Sequence, residues 1–210
     1  MKNTITAILL CITTLTMAQK EVTVTIAGKI TNPNSDSAYI MDGWGQIYQI
    51  IELDEVHSFK NTFTIEKGYY RFNDGNEATG IFLNDGYDLY LTLDTDSFDE
   101  TVSHTGNGAD ANNYLAKKAL VEESWGRLDY YGYYCKLEEK AFLKLADSLN
   151  EISETLLKSE PIADTDFNYL ASSGLRYEKM YKLSIYPGTY GYLNKLKDFK
   201  VSKQYPDPFK

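Results

Sequence analysis

The chain predicts an α+β protein: an N-terminal antiparallel β-sandwich or partly open barrel, followed by a helical subdomain. Three observations carry that expectation. Apolar residues alternate with polar ones through most of residues 21–105, the period of half-buried strands. The tripeptide Asn-Asp-Gly occurs at Asn73-Asp74-Gly75 and again at Asn84-Asp85-Gly86. Asp-Gly between alternating runs signals a hairpin, because glycine takes the positive φ of the turn at little cost. From about residue 108 the apolar spacing changes to three and four, the period of a helix. Strands first and helices second is the order of an α+β fold or of two abutting subdomains.

In chain order, EVTVTIAGKI alternates through Val22, Val24 and Ile26. A turn cluster, NPNSDS, leads to a short strand at residues 38–41, and QIYQIIEL and SFKNTFTIE continue the series. GYYRFNDG, NEATGIFL and YDLYLTLD follow, the last alternating through Leu89, Leu91 and Leu93. The total is roughly seven or eight short strands, the number and spacing of a sandwich or barrel. Most connections are too short for crossover helices, which argues for antiparallel pairing.

The first helix is expected to carry Tyr114, Val121, Trp125 and Leu128 on one face, with Asp110 capping its start. The second runs through Leu137, Ala141, Leu145, Leu149, Ile152 and Leu156 and ends at Pro161, with Glu154 and Lys158 forming an i,i+4 pair. The third begins near Asp164, presents Phe167, Leu170, Gly174, Tyr177 and Tyr181, and stops before Pro187-Gly188. A short further turn of helix fits residues 190–197. The expected boundaries are a β domain over 19–106, a helical connector over 107–195 and a linker over 196–210, where Lys and Asp interleave and Pro206 and Pro208 stand close together.

The first residues read as a cleaved secretory signal over 1–18. Lys2 supplies the basic start, an apolar run extends from Ile5 to Met17, and Thr16-Met17-Ala18 places small residues at the −3 and −1 positions of the cut. The expected location is the periplasm or cell envelope. A lipoprotein signal on Cys11 needs a small residue before the cysteine, and Leu10 stands there, so membrane attachment by lipid is disfavoured. After cleavage Cys135 is the one cysteine left, with no partner for a disulfide or a dithiol pair, and reads as an inert small hydrophobe.

A formal charge of −9, from 30 acidic against 21 basic residues, argues against nucleic acid and anionic lipid as partners. Candidate chemistry is sparse. LDTDSFDE gathers Asp94, Asp96, Asp99 and Glu100, but a calcium loop wants an oxygen ligand and then glycine where Phe98 and Asp99 stand. It reads as a solvated acidic loop. His57 and His104 have no further histidine or cysteine at metal spacing and read as surface histidines. TGNGAD lacks the ending of a phosphate loop, and its glycines suit a strand turning into a helix. No catalytic, metal or cofactor residues are assigned.

The remaining candidate is RLDYYGYYCKLEE, in which Tyr130, Tyr131, Tyr133 and Tyr134 surround Gly132. It reads first as an interhelix loop whose rings cover the sheet. The alternative is a tyrosine-rich contact surface for a sugar, a peptide or a second domain.

Three stretches, ITNPNSDSAYIMD, GYYRFNDGNEATGIFLNDGYDLYLTLDTDSFDETVSHTGNGADANNYLAKKAL and the terminal PDPFK, resemble the region upstream of the thioredoxin domain in TlpA-like thiol:disulfide reductases of Bacteroidota. The similarity spans most of residues 24–125 and is looser over 126–195. It implies a secreted protein with a β-rich N-terminal domain and a helical connector. Residues 196–210 would then lead toward a thioredoxin fold bearing Trp-Cys-x-x-Cys, which this sequence lacks. No catalytic residue carries over, since no matching position is present. The implied role is a non-catalytic accessory or docking region that positions a thioredoxin-like domain, binds client proteins or forms a homodimer. The reading set against it is a free-standing secreted binding module.

Overall fold

A computed structural model of the chain describes residues 21–125 and 132–209. The signal segment, Tyr130, Tyr131 and Leu128 lie outside the described residues. The fold is α+β: two four-stranded sheets, not closed into a barrel, followed by helices. The strands are β1 (Glu21–Thr31), β2 (Ser37–Met41), β3 (Ile47–Glu52), β4 (Ser58–Glu66), β5 (Gly68–Asn73), β6 (Ala78–Leu83), β7 (Asp88–Asp94) and β8 (Ser103–Asn107). The helices are the single turn α1 (Phe98–Thr101), then α2 (Ala109–Ser124), α3 (Glu139–Ser159) and α4 (Thr165–Leu193).

One sheet has the order β4-β1-β7-β8 and the other β3-β2-β5-β6. Alternation places Val22, Val24, Ile26 and Ile30 of β1 and Leu89, Leu91 and Leu93 of β7 on the inner face of the first sheet. Ala38, Ile40, Ile51, Phe72 and Ile81 meet them from the second. Phe59 of β4 stacks on Phe72 of β5 across the gap, ring centroids 5.7 Å apart. Each such side chain, fully buried, contributes about 1.5–3 kcal/mol relative to exposure.

The expected all-antiparallel connectivity is corrected at one pair. β1 and β7 run parallel, with Ile26 opposite Leu89 and Gly28 opposite Leu91. No crossover helix is needed, because the chain builds the whole second sheet between these two strands. The two Asn-Asp-Gly turns also diverge. Gly75 and Gly86 both take positive φ, 102° and 72°. The first turn joins β5 to β6 as a hairpin, whereas the second carries the chain from one sheet to the other.

Two consecutive asparagines of α2 seal the sandwich. Asn112 accepts from the Phe82 backbone N–H at 2.8 Å and donates to the Phe82 carbonyl at 3.1 Å, completing the edge of β6. Asn113 does the same for His104 on the edge of β8, at 2.8 and 2.9 Å. Each side-chain amide stands in for the next strand and satisfies edge groups that would otherwise be orphaned. Asp110, expected as the cap of this helix, lies inside its first turn and instead accepts from the Ala163 N–H at 2.6 Å.

The helices follow the sequence reading with two rotations and one extension. In α3 the buried stripe is Phe142, Ala146, Leu149 and Ser153, so the expected Ala141 and Ile152 face solvent. In α4 Phe167, Ala171 and Leu175 face inward, while Tyr177 and Tyr181 are exposed. Asp164 caps α4 as expected, accepting from the Phe167 N–H at 2.9 Å. Pro187 does not end the helix, which continues to Leu193. Proline removes the N–H that would bond the carbonyl of Leu183. The Tyr205 hydroxyl donates to that carbonyl at 2.8 Å. Tyr205 also stacks on Tyr186, itself stacked on Phe142 at 4.0 Å. The segment expected as a linker is thus held along the helices, with Phe199, Val201 and Tyr205 against their core and Ser202 bonded to Glu139.

Replacing Asn112 by Ala strands a buried N–H and C=O at once and should cost about 2–4 kcal/mol. Asn113→Ala, in a wetter position, should cost less. Urea unfolding midpoints measure both, and a loss below about 1 kcal/mol for Asn112→Ala would show that the β6 edge does not depend on it. For Tyr205→Phe the expected loss is about 1–2 kcal/mol, shrinking in a Pro187→Ala background where the helix supplies its own N–H. A double-mutant cycle with no coupling would refute that assignment.

Candidate functional site

The turn between β2 and β3 displays the most exposed large apolar side chain among the described residues. Its sequence is Asp42-Gly43-Trp44-Gly45-Gln46. The Asp42 carboxylate accepts from the Trp44 N–H at 2.8 Å and the Gln46 N–H at 2.9 Å, and the Asp42 N–H donates to the Gln46 carbonyl at 3.0 Å. This Asx-type turn fixes the backbone while leaving the Trp44 ring 97% exposed.

The strand face behind the turn is apolar as well. Register pairs Tyr39 with Ile50 and Met41 with Ile47, so these four side chains share the outer face of the second sheet. Ile47 and Ile50 are about half exposed, and Arg71, opposite Met41, borders the patch. β3 is an edge strand. It carries no charge before Glu52, although Gln49 donates to the Ile50 carbonyl at 2.7 Å. The outer face of the first sheet contrasts with it. There Thr23, Thr25, Lys29, Lys60, Thr62 and Thr64 face solvent, and the hydroxyls of Thr25 and Thr62 share a hydrogen bond at 2.8 Å.

The tyrosine-rich segment is divided by its packing. Tyr133 is 50% exposed, whereas Tyr134 and Cys135 are buried in the helical core. Tyr133 and Tyr134 meet edge to face at 5.8 Å. Burial of Cys135 matches its reading as a small hydrophobe. The turn with Trp44 was missed in the sequence, although a tryptophan between two glycines after a capping aspartate is a readable signal of display rather than burial.

Two polar sites are structural. Asp164 accepts from the Tyr87 hydroxyl at 2.5 Å and from Asn84 at 2.8 Å. Burial works against its charge, but these bonds and the helix N–H groups hold its carboxyl below the ordinary range. The same burial and the carboxylate raise the Tyr87 phenol. A cleft of about 410 Å³ beside this network is lined by Asp110 and Asp164. The acidic loop is tied back as well, since Asn32 donates to Asp94 and Asp96 at 3.0 and 3.1 Å.

His57 is exposed in a turn, as expected, and His104 is not. It is 2% exposed on β8 opposite Leu91, and neither ring nitrogen has a partner among the described residues. The β8 alternation that buries it was too short to read. Burial lowers its pKa to about 4, and Asn113 beside it offsets only part of that. No group of three or more metal-binding side chains occurs among the described residues. Nor is any helix among them long and apolar enough to cross a membrane.

Compared with known proteins, the chain matches no protein-family model and no curated protein.

His104 sets a pH dependence. Its folded pKa lies below the ordinary 6.5, so the unfolded chain binds the extra proton first. Its stabilising neutral form is complete above pH 6.5 and is lost as pH falls toward 4, a change of about 3 kcal/mol at about 1.4 kcal/mol per unit. Urea unfolding of the natural chain and His104→Leu across pH 7 to 4 should show a steeper loss in the former. Equal slopes would remove His104 as the cause.

Proposed function

We propose that this chain is the non-catalytic accessory or docking region of a secreted, cell-envelope thiol:disulfide reductase of the TlpA-like kind. In that role it would hold a thioredoxin-like domain or a client protein against the outer face of its second sheet. The observation that carries the reading is the Trp44 turn: an aromatic side chain held out by a hydrogen-bonded backbone beside a half-exposed apolar strand pair. Aromatic anchors surrounded by apolar contacts dominate binding energy in protein interfaces. An edge strand can also accept an extended segment through its backbone groups. The resemblance in residues 24–125 supports the choice of partner.

The test is calorimetric titration of the chain with a purified thioredoxin-like domain and, separately, with a reduced unfolded client. Saturable binding is expected, weakened at least tenfold by Trp44→Ala or Ile50→Lys with the unfolding midpoint unchanged. Silence toward both partners would refute the reading, as would insulin reduction by this chain alone.

The second reading, a free-standing binding module, is favoured by the half-exposed Tyr133. Saturable glycan or peptide binding lost on Tyr131→Ala and Tyr133→Ala, with Trp44 indifferent, would select it.

A further inference from the structure

The register of the second sheet sets its outer face out in rows. Ile47 of β3 lies opposite Met41 of β2, Met41 opposite Arg71 of β5, and Arg71 opposite Gly80 of β6. A second row runs through Ile50, Tyr39, Asn73 and Ala78. Helix α2 closes the β6 end of the first row, since a Cβ on Gly80 would stand 4.0 Å from Leu115. From there to Ile47 the row is open, with Gly80 and Arg71 exposed and Met41 half-buried.

Arg71 has the apolar side chains on one side and Gly80 on the other, so it stands within the row rather than at its end. The chain carries 30 acidic against 21 basic residues, yet among the described residues no carboxylate pairs with Arg71 and no group hydrogen-bonds its guanidinium. Lys67, Lys117, Lys118 and Lys179, by contrast, each meet a carboxylate at 2.6–2.9 Å. Asp42, next to Met41, is committed to the N–H groups of Trp44 and Gln46. Glu52 shares the outer face but lies opposite Ser37, four residues along β2 from Met41 and about 13 Å away.

A guanidinium in water needs no partner. One covered by another protein does, because an apolar cover leaves the charge desolvated and unpaired. A carboxylate restores the lost hydrogen bonds, and it fits the planar fork of arginine with two parallel contacts. Arg71 therefore selects among partners that the apolar side chains alone would accept.

We propose that what docks on this face is an extended protein segment bearing a carboxylate for Arg71 and an apolar side chain for Met41 and Ile47. The assignment rests on the docking role proposed above and gives that partner its chemistry. Neighbouring strands lie about 4.8 Å apart, so Met41 is about 5 Å and Ile47 about 10 Å from Arg71 across the sheet. Residues two apart in an extended segment share a face and stand about 6.7 Å apart. An apolar residue two positions from the carboxylate thus falls between Met41 and Ile47.

The probe is the blocked peptide acetyl-Thr-Phe-Ser-Glu-Thr-amide, with Gln in place of Glu as control and the ¹⁵N-labelled chain as reporter. Amide shifts of Met41, Ile47 and Arg71 should move saturably with the Glu peptide, and the Gln peptide should bind at least tenfold more weakly. Arg71→Gln should make the two peptides bind alike, and its melting temperature should be unchanged because the side chain is exposed and unpaired. Arg71→Glu should reverse the preference toward a Lys peptide. Equal affinities of the natural chain for the Glu and Gln peptides would overturn the proposal and leave the docking face standing. A Glu preference that survives Arg71→Gln would overturn it as well. If neither peptide moves these amides at millimolar concentration the proposal falls, and silence toward a thioredoxin-like domain and a client would remove the docking face itself. The chain alone should sediment as a monomer. A dimer abolished by Arg71→Glu would give the face to a second copy and overturn the proposal.

Discussion

Two adjacent side chains, Asn112 and Asn113, hold the sandwich closed, and the placement of everything C-terminal to it depends on them. Successive residues on a helix point about 100° apart. For one asparagine to pair with Phe82 on β6 and the next with His104 on β8, α2 must run along the open side between the two sheets. That position puts Tyr114 against Phe167 and Lys118 against Glu178, and lets Asp110 hold the chain at Ala163 just before α4 begins. Asp164, Tyr87 and Asn84 then lock the start of α4 to the turn between β6 and β7. A polar contact at two strand edges therefore sets the geometry of the helical layer.

Sealing β6 and β8 leaves the opposite edges, β3 and β4, to be managed by their own side chains. β4 carries Lys60, Thr62, Thr64 and Glu66 outward, a polar edge that discourages strand addition. β3 has Ile47, Tyr48 and Ile50 instead. An apolar edge of this kind is a liability unless it is used. The asymmetry between the two edges adds to the Trp44 turn in supporting the docking role proposed for the second sheet.

Much of this architecture was legible in the sequence. Period-two alternation marked most strands of the core, β1 and β7 above all, because burial on one face leaves that trace in the composition of a strand, while β8 was too short to carry it. Asp164 announced α4, because a cap acts locally. What escaped was set by contacts distant in the chain. The parallel pairing of β1 with β7 is invisible locally, since the intervening second sheet does the work of a crossover. Pro187 looked like a helix terminus because its compensating donor, Tyr205, lies eighteen positions further on. The stripe of α3 was rotated by one residue because Phe142 is drawn fully inward by its stack on Tyr186 of α4, a contact distant in the chain, while Leu145 packs at the edge of the same core. Of the candidate site, the tyrosine segment was legible as composition but not as exposure. The Trp44 turn had a signal that reads clearly only once Asp42 is seen to hold it.

α4 joins these features, since its first half belongs to the sandwich core and its second half to the helical one. A 29-residue helix containing both Gly174 and Pro187 would be a poor helix in isolation. Here each weak point lies between fixed positions. Asp164 anchors the start, Phe167 and Leu175 bury the first half, and Tyr186, Tyr190 and Tyr205 hold the second. Glycine between two such anchors cannot fray the helix, so its cost is confined to one residue while its open space is retained. Rigidity imported from tyrosine packing is what allows a helix with two poor helix formers to run unbroken from Thr165 to Leu193.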